Sequence, residues 1–315
     1  MIALIRNEWM KIFARKSAWV YMLLIVAFVL IAALFYNKVY GKDDPNWRTK
    51  IEKEIKADEA LMKKDPEQYA DLAPTIQKNQ DYLKYNINPD AHSNWHFMNN
   101  VVIPLGSFVT LFSVIVGSAN VSSEFASGTI KQLMIRPHAR WKILLSKYIA
   151  VTAYAVLLLA VLLIAGYLIG LLFQGSGSFH MKMIENTVGD SQYKIKEIGP
   201  QFFLKFALYL PSLVMVSAIA FMLSTLFKSQ ALAVGIGIFA LFITNTLGGI
   251  ILFLMNRYHW LKFLIFPHLD LSVYAYQDKL TDGVTLPFSL ITLAVYYVVF
   301  MTLTFWYFQK RDIAF

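Results

Sequence analysis

The 315-residue chain contains no cysteine, and charged residues make up only 16% of it. Without cysteine no disulfide staples its loops, no thiolate holds a metal, and no sulfur nucleophile is available. The redox compartment leaves no trace in it for the same reason. A G-x-x-x-x-G-K-[ST] run is also missing, and Gly235-Ile236-Gly237 and Gly175-Ser176-Gly177 lack the rest of any phosphate-binding fingerprint. The six histidines are scattered; His92 and His96 lie four apart, but the intervening residues lack the glutamate of a zinc hydrolase. No catalytic residue, metal site or bound cofactor is therefore expected on this chain. A further absence is positional: six apolar runs contain no Asp, Glu, Lys, Arg or His.

Those runs are Ala18–Tyr36, Val101–Ala119, Ile149–Phe173, Ala207–Phe227, Ala231–Leu254 and Phe288–Phe308. Each is roughly 19–25 residues, the length a helix needs to cross about 30 Å of hydrocarbon. The expected fold is all-α: a polytopic membrane protein with six transmembrane helices. The first run is too long for a signal h-region and is followed by no A-x-A-like site, so it reads as a retained span. An even number of spans puts both termini on one side. Segments 1–17, 120–148, 228–230 and 309–315 hold 12 basic and 3 acidic residues, whereas 37–100, 174–206 and 255–287 hold 17 of each sign. The net charge of +9 thus lies wholly on the terminal side, which the positive-inside bias places in the cytoplasm of a plasma membrane. A pI near 9.4 then reports a surface facing anionic headgroups rather than a nucleic-acid partner.

Residues 1–17 form an amphipathic interfacial helix, with Ile2, Ile5, Trp9, Ile12 and Phe13 on one stripe and Asn7, Lys11 and Arg15 opposite. Segment 37–100 reads as a small extracellular helical hairpin, Lys50–Lys64 and Thr75–Tyr85, broken at Asp65-Pro66 and Ala73-Pro74, with Ile51, Ile55 and Met62 on one stripe and Ile76, Gln80 and Leu83 on the other. Loop 174–206 carries weak alternation around Gln192–Ile198. Segment 255–287 holds an apolar stretch, Trp260–Pro267, too short to cross and expected to be re-entrant or interfacial. No internal repeat is visible.

Proton- and ion-coupled transporters usually keep ionisable groups at mid-membrane, at about 2.5–3.5 kcal/mol each on insertion scales. Their absence from these runs implies that energy for any uphill transport arrives from outside the spans. It also leaves an intramembrane protease without its nucleophile and base. The neutral polar groups are few. Thr244-Asn245-Thr246 sits near the middle of the fifth run, and Ser107, Thr110 and Ser113 recur every three residues on the second. Both groups are candidates for a substrate pathway or a dimer interface, with interhelical packing as the alternative. Pro211 frees a carbonyl in the fourth run.

Between the second and third runs lies a short amphipathic segment, residues 122–140. Ser123 is placed to cap a helix, Glu124 suits its positive end, and Pro137 stops it. Phe125, Ala126, Ile130, Leu133 and Met134 share one half of the wheel; Glu124, Ser127, Gly128, Lys131 and Gln132 share the other. A helix of about three turns on a membrane surface is a handle for a soluble partner. The sequence Glu124…Gly128-Thr129…Leu133…Arg136-Pro137…Arg140 resembles the signature of type-2 ABC transporter permeases. The resemblance extends over essentially the whole chain: the amphipathic amino-terminal helix, the long outer loop with Tyr85-Asn86-Ile87-Asn88-Pro89 near its end, and the last span closing on Lys310-Arg311-Asp312-Ile313. It is nearest to the bacitracin-resistance type.

The resemblance implies that Glu124–Ile135 is a cytoplasmic coupling helix docking into a separate ATP-binding-cassette ATPase subunit, which would hold ATP and Mg. Phe125 and Leu133 would be buried in that partner, Glu124 would meet a partner cation, Gly128-Thr129 would allow close approach, and Arg136 and Arg140 would hold phosphates or partner acids. A second permease, identical or related, would complete the exporter for peptide antibiotics, lipids or amphipathic drugs. ATP-driven closure would then move spans one, two and five. Two other readings remain open at this point: a secondary transporter or channel acting alone, and a membrane sensor whose outer hairpin binds a ligand.

Overall fold

The computed structural model describes every residue except 41–44, 65–68, 135–137, 187–192 and 312–315. The amino-terminal helix α1 (Ile2–Ala14) meets α2 (Lys16–Tyr40) at a break around Arg15. The outer pair α3 (Trp47–Lys64) and α4 (Tyr69–Lys84) follows. Next come α5 (Asn94–Phe97), a π-turn at Met98–Val102 and α6 (Ile103–Asn120), which run on as one rod into α7 (Ser122–Ala126). After α8 (Ile130–Met134) the chain rises in the long α9 (Arg140–Gln174). Strands β1 (Lys182–Asn186) and β2 (Tyr193–Glu197) form an antiparallel ribbon leading into α10 (Ile198–Leu226) and then α11 (Gln230–Met255). Three short 3-10 turns, a small ribbon β3 (Lys279–Thr281) with β4 (Val284–Thr285), and α12 (Leu286–Lys310) complete the chain.

Six of these helices are long and apolar enough to span a bilayer: Lys16–Val39, Asn94–Ala126, Arg140–Gln174, Ile198–Leu226, Gln230–Met255 and Leu286–Lys310. The protein is an α-helical polytopic membrane protein. Among the described residues, two small ribbons depart from the all-α expectation. Its spans bury one face in a shared core, where Ile25, Val29, Val109, Tyr154, Leu158 and Leu213 meet. Their outward faces keep Leu23, Phe35, Leu172, Phe239 and Phe253 exposed to the surroundings. An apolar surface of this kind is stable only when the solvent is itself hydrocarbon.

The short basic segments gather on one face. Arg140 Nη1 donates to the carbonyls of Gln309 (3.1 Å) and Arg311 (3.2 Å), Arg311 Nη1 donates to Thr225 O (2.7 Å), and the backbone N–H groups of Val121 and Ser122 donate to Ser224 Oγ. On the opposite face α3 and α4 pack through Ile51, Ile55, Met62, Ile76 and Leu83 of the expected stripes, while Gln80 is exposed and its neighbour Asn79 is buried instead. Pro74 lies inside α4 instead of ending it, because that apolar contact holds the helix over the lost hydrogen bond. Asp65-Pro66 lies outside the described residues. Two further expectations change. The alternation after Gln192 is the second strand of a ribbon, and α10 begins at Ile198, well before residue 207, so that it takes Lys205 into the helix. Segment 255–287 folds back on the spans, burying His268, Leu271 and Ala275; His268 is held by Ser289 Oγ at Nδ1 (2.7 Å) and by Lys262 O at Nε2 (2.8 Å).

Gly166 and Gly170 explain how α9 approaches the entry to the second span so closely. A Cβ at Gly166 would lie 2.7 Å from Val102 Cγ2, and one at Gly170 would lie 2.9 Å from Phe97 Cδ1. Gly166→Leu is therefore expected to lower stability by about 1–3 kcal/mol through overpacking. Gly235→Ala, which meets nothing within 4 Å, should leave it unchanged or slightly raised. Thermal melting of the two detergent-purified variants checks the contrast.

Candidate coupling surface and membrane cavity

The handle between the second and third spans is built differently from the sequence expectation. The predicted helix over 124–135 is two short pieces, α7 and α8, separated at Gly128, whose φ of +73° is the left-handed conformation that a side chain disfavours. Ser123 makes no capping bond; its hydroxyl accepts from Arg15 Nη2 at 2.9 Å. Ile130 is 3% exposed, whereas Ala126, Ser127, Gly128, Thr129, Lys131 and Gln132 are exposed. The result is a turn with a buried root and an open tip. The side chain of Leu133 and the whole of Arg136 lie outside the described residues.

The root is held by four charges. Lys147, 0% exposed on α9, places its Nζ 2.8 Å from Glu8 Oε2 and 2.7 Å from Glu124 Oε1. Lys11 Nζ lies 2.9 Å from Glu8 Oε1 and 2.9 Å from Glu124 Oε1. Glu8 and Glu124 are themselves buried. Two carboxylates and two ammonium groups leave no net charge, which is the condition for keeping such groups out of water. Burial acts to raise the Glu8 carboxyl, but the Lys147 charge and hydrogen bond, with those of Lys11, outweigh it and hold the pKa below its ordinary value. For Lys11 burial acts to lower the ammonium, and the bonds to Glu8 and Glu124 outweigh it, so its pKa is raised.

These contacts revise several expected roles. Glu124 Oε1 is occupied by the protein's own lysines, and Glu124 Oε2 has no hydrogen-bond partner among the described residues. Phe125 lies under the Arg311 guanidinium, 4.1 Å from the ring centroid, instead of standing free. Arg140 caps the end of α12 through Nη1. Glu8 and Lys147 were not legible as site residues. Glu8 stands three and four residues from Ile5 and Ile12, on the inward side of the stripe, and Lys147 falls just before an apolar run. That spacing was the available signal.

A second feature lies between α6, α10, α11 and the 3-10 turns: a cavity of about 560 Å³. Ser107 and Thr110 line it, and Thr110 Oγ1 pairs with Tyr209 OH at 2.7 Å. Ser113 does not; it is buried and its hydroxyl donates to Val109 O at 2.7 Å. Thr246 is exposed and its hydroxyl bonds within its own helix, to Phe242 O at 3.3 Å. The side chains of Thr244 and Asn245 lie outside the described ones. One end of the cavity is polar. Lys205, 2% exposed, bonds Glu185 Oε1 (2.6 Å) and Asn99 Oδ1 (2.9 Å) and sits 4.4 Å from the Tyr276 ring centroid. Gln201 donates to Glu185 and to Ala275 O, tying ribbon, helix and 3-10 segment together. Lys205 and Lys147 both lie inside membrane-length helices yet outside the apolar runs of the sequence, because the helices continue past the hydrocarbon-length stretch at both ends.

Residues 70–314 match DUF2705, a family described as proteins of unknown function. The chain is 34% identical over 320 residues to the uncharacterized protein YhcI of Bacillus subtilis, covering all of both chains. It is 28% identical over 212 residues to the uncharacterized membrane protein YdbK of the same organism, covering 66% of this chain and 79% of that one.

Lys147→Met should cost about 3–5 kcal/mol, because it leaves two buried carboxylates short of a cation. The triple variant Lys147→Met, Glu8→Gln, Glu124→Gln should recover a large part of that loss in a thermal melt. The pH dependence follows from the two shifts. Glu8 contributes stability that is present above its ordinary pKa of 4.5 and is lost as pH falls through its lowered folded value. Lys11 contributes stability that is present below 10.5 and is lost as pH rises through its raised value. Glu8→Gln should flatten the acid limb of the melting-temperature profile and also weaken the alkaline limb, because Glu8 supplies part of what raises Lys11.

Proposed function

We propose that this chain, which belongs to the DUF2705 family, is the membrane-spanning permease subunit of an ATP-binding-cassette exporter. In this reading it sits in the plasma membrane with both termini in the cytoplasm. ATP and Mg²⁺ are held by a separate ATPase subunit docked on the 127–132 tip. A second permease, a copy or a relative, completes the assembly. The observation that carries the reading is the handle itself: a small exposed turn whose root is fastened into the membrane domain by a buried charge cluster.

A force applied at the tip has several rigid routes inward. Span two is continuous with α7. Lys147 links the root to span three, Ser224 to span four, and Arg311 over Phe125 to span six. Lys11 and Arg15 bring in α1. These contacts favour joint movement of α1 with spans two, three, four and six, and the packing of α11 against α6 and α7 keeps span five of the sequence reading among the elements moved. The cavity, mainly apolar with Ser107, Thr110 and Ser212 along its walls and a charged end at Lys205, fits an amphipathic cargo such as a peptide antibiotic, lipid or drug. The chain performs no catalytic step of its own in this scheme.

The clean test lies at the exposed tip. Glu124→Arg would set a third cation against Lys11 and Lys147 and so would test folding as much as docking. Gly128→Val, at an exposed position with positive φ, re-aims the tip and disturbs no neighbour. Wild-type protein extracted in mild detergent from its own host should bring down an ATP-binding subunit. The Gly128→Val variant should reach the membrane at normal level and lose that subunit together with export. Retention of both by the variant would remove the basis of the proposal, as would uphill pumping by the isolated chain in vesicles driven by an ion gradient.

A further inference from the structure

A cavity of about 800 Å³ opens on the terminal face, between α1, the start of α2, the end of α6 and the coupling turn. Its walls divide by chemistry. One half carries Asn7, Lys11, Arg15, Asn120, Ser123 and the Glu124 carboxylate, which Lys11 and Lys147 neutralise; the other carries Tyr21, Ile115, Val116 and Ala119. The division coincides with the ends of the apolar runs, which begin at Ala18 in α2 and close at Ala119 in α6. The polar half therefore lies at headgroup level and the apolar half at the level of acyl chains.

Its charge is unbalanced. Glu8 and Glu124 are matched by Lys11 and Lys147, and Arg15 adds one cation with no acidic partner among the described ion pairs. Arg15 is exposed and uses one Nη on Ser123 Oγ, leaving other donors of the guanidinium to face the cavity. A guanidinium fork beside a hydroxyl matches a phosphodiester, and an apolar cleft directly beneath it matches the first part of an acyl chain.

We infer that this cavity is a binding site for an anionic phospholipid, with the headgroup phosphate on Arg15 and the acyl chain along Tyr21 and Val116. The ligand would touch α1, α2, α6 and, through Ser123, the coupling turn. It would thus brace the amino-terminal helix against the handle, so that the lipid composition of the surrounding leaflet sets how firmly the handle is held. This inference does not depend on the ATPase reading: it rests on a cavity, a charge excess and the position of both relative to the apolar runs.

The test uses the full chain in neutral-detergent micelles, followed by native mass spectrometry and thermal melting, with phosphatidylglycerol, phosphatidylcholine or soluble glycerol phosphate added. Phosphatidylglycerol should be retained as a one-to-one adduct and raise the melting temperature, while the other two should not. Arg15→Gln should weaken phosphatidylglycerol binding by about fivefold, the scale of one basic group at a membrane surface. Val116→Trp, which fills the apolar half, should weaken it with Arg15 intact. Melting without lipid checks that both variants are folded. Equal retention of phosphatidylcholine, or undiminished binding by the two folded variants, would overturn the assignment. So would a full response to glycerol phosphate alone, since that would mark an anion site without a lipid.

Discussion

An ammonium group withdrawn completely from water is stable only if its charge is answered at hydrogen-bonding distance. Lys147 is answered twice, by Glu8 from the amino-terminal helix and by Glu124 from the handle. The position of both elements follows from that requirement. Both elements also pack: Ile12 of α1 joins the main core with Trp9 and Phe13 against it, and Ile130 of the handle is buried with Leu144, Tyr148 and Phe221, while Ile2, Met10 and the tip of the handle stay exposed. The charge cluster adds a directional link to this non-directional packing. Lys11 completes it by bonding the same two carboxylates, which brings the cluster to neutrality.

The membrane domain repeats this arrangement at its other end. Lys205 enters α10 from the opposite face and is answered by Glu185 of the ribbon, by Asn99 and by the Tyr276 ring. In both places the buried cation sits near the end of a membrane-length helix; Glu8 and Glu185 come from elements that do not cross, whereas Glu124 and Asn99 lie toward the two ends of the second membrane-length helix. Mid-membrane positions stay apolar, so hydrocarbon depth is spared the cost of ions while the ends are stitched to the surface elements. Between the two stitched ends lie the 560 Å³ cavity and the smooth outward faces of the spans.

The legible part of the molecule was its large-scale plan. Six runs without ionisable residues correspond to six helices in order, and the helical hairpin at 47–84 packs through the apolar members of the stripes read from its spacing. The handle was located but not shaped. Its wheel pattern agrees with the buried Ile130 and the exposed Ser127, Lys131 and Gln132 but not with Ala126, which is exposed, or Glu124, which is buried, and its apparent continuity concealed a break at Gly128. A left-handed glycine ends one helical turn and redirects the next, so a wheel drawn as one continuous helix misplaces residues on either side of it. The pathway residues divided in a similar way. Ser107 and Thr110 line the cavity, whereas Ser113, on the same three-residue repeat, has rotated into the helix interior because three residues fall short of a full turn.

The sequence by itself determined that the chain crosses a membrane six times, since runs of that length and apolarity have no other stable environment. It also determined which segments are basic. What only the tertiary structure decided is which charges are spent inside the protein. Glu8 and Lys147 are separated by 139 residues, and Lys11 and Glu124 by 113. No local pattern can pair groups so far apart, because the energy that selects them exists only once folding has removed water from between them. Glu124, read from its motif as a group offered to another protein, is in the folded chain the acceptor for two of its own lysines.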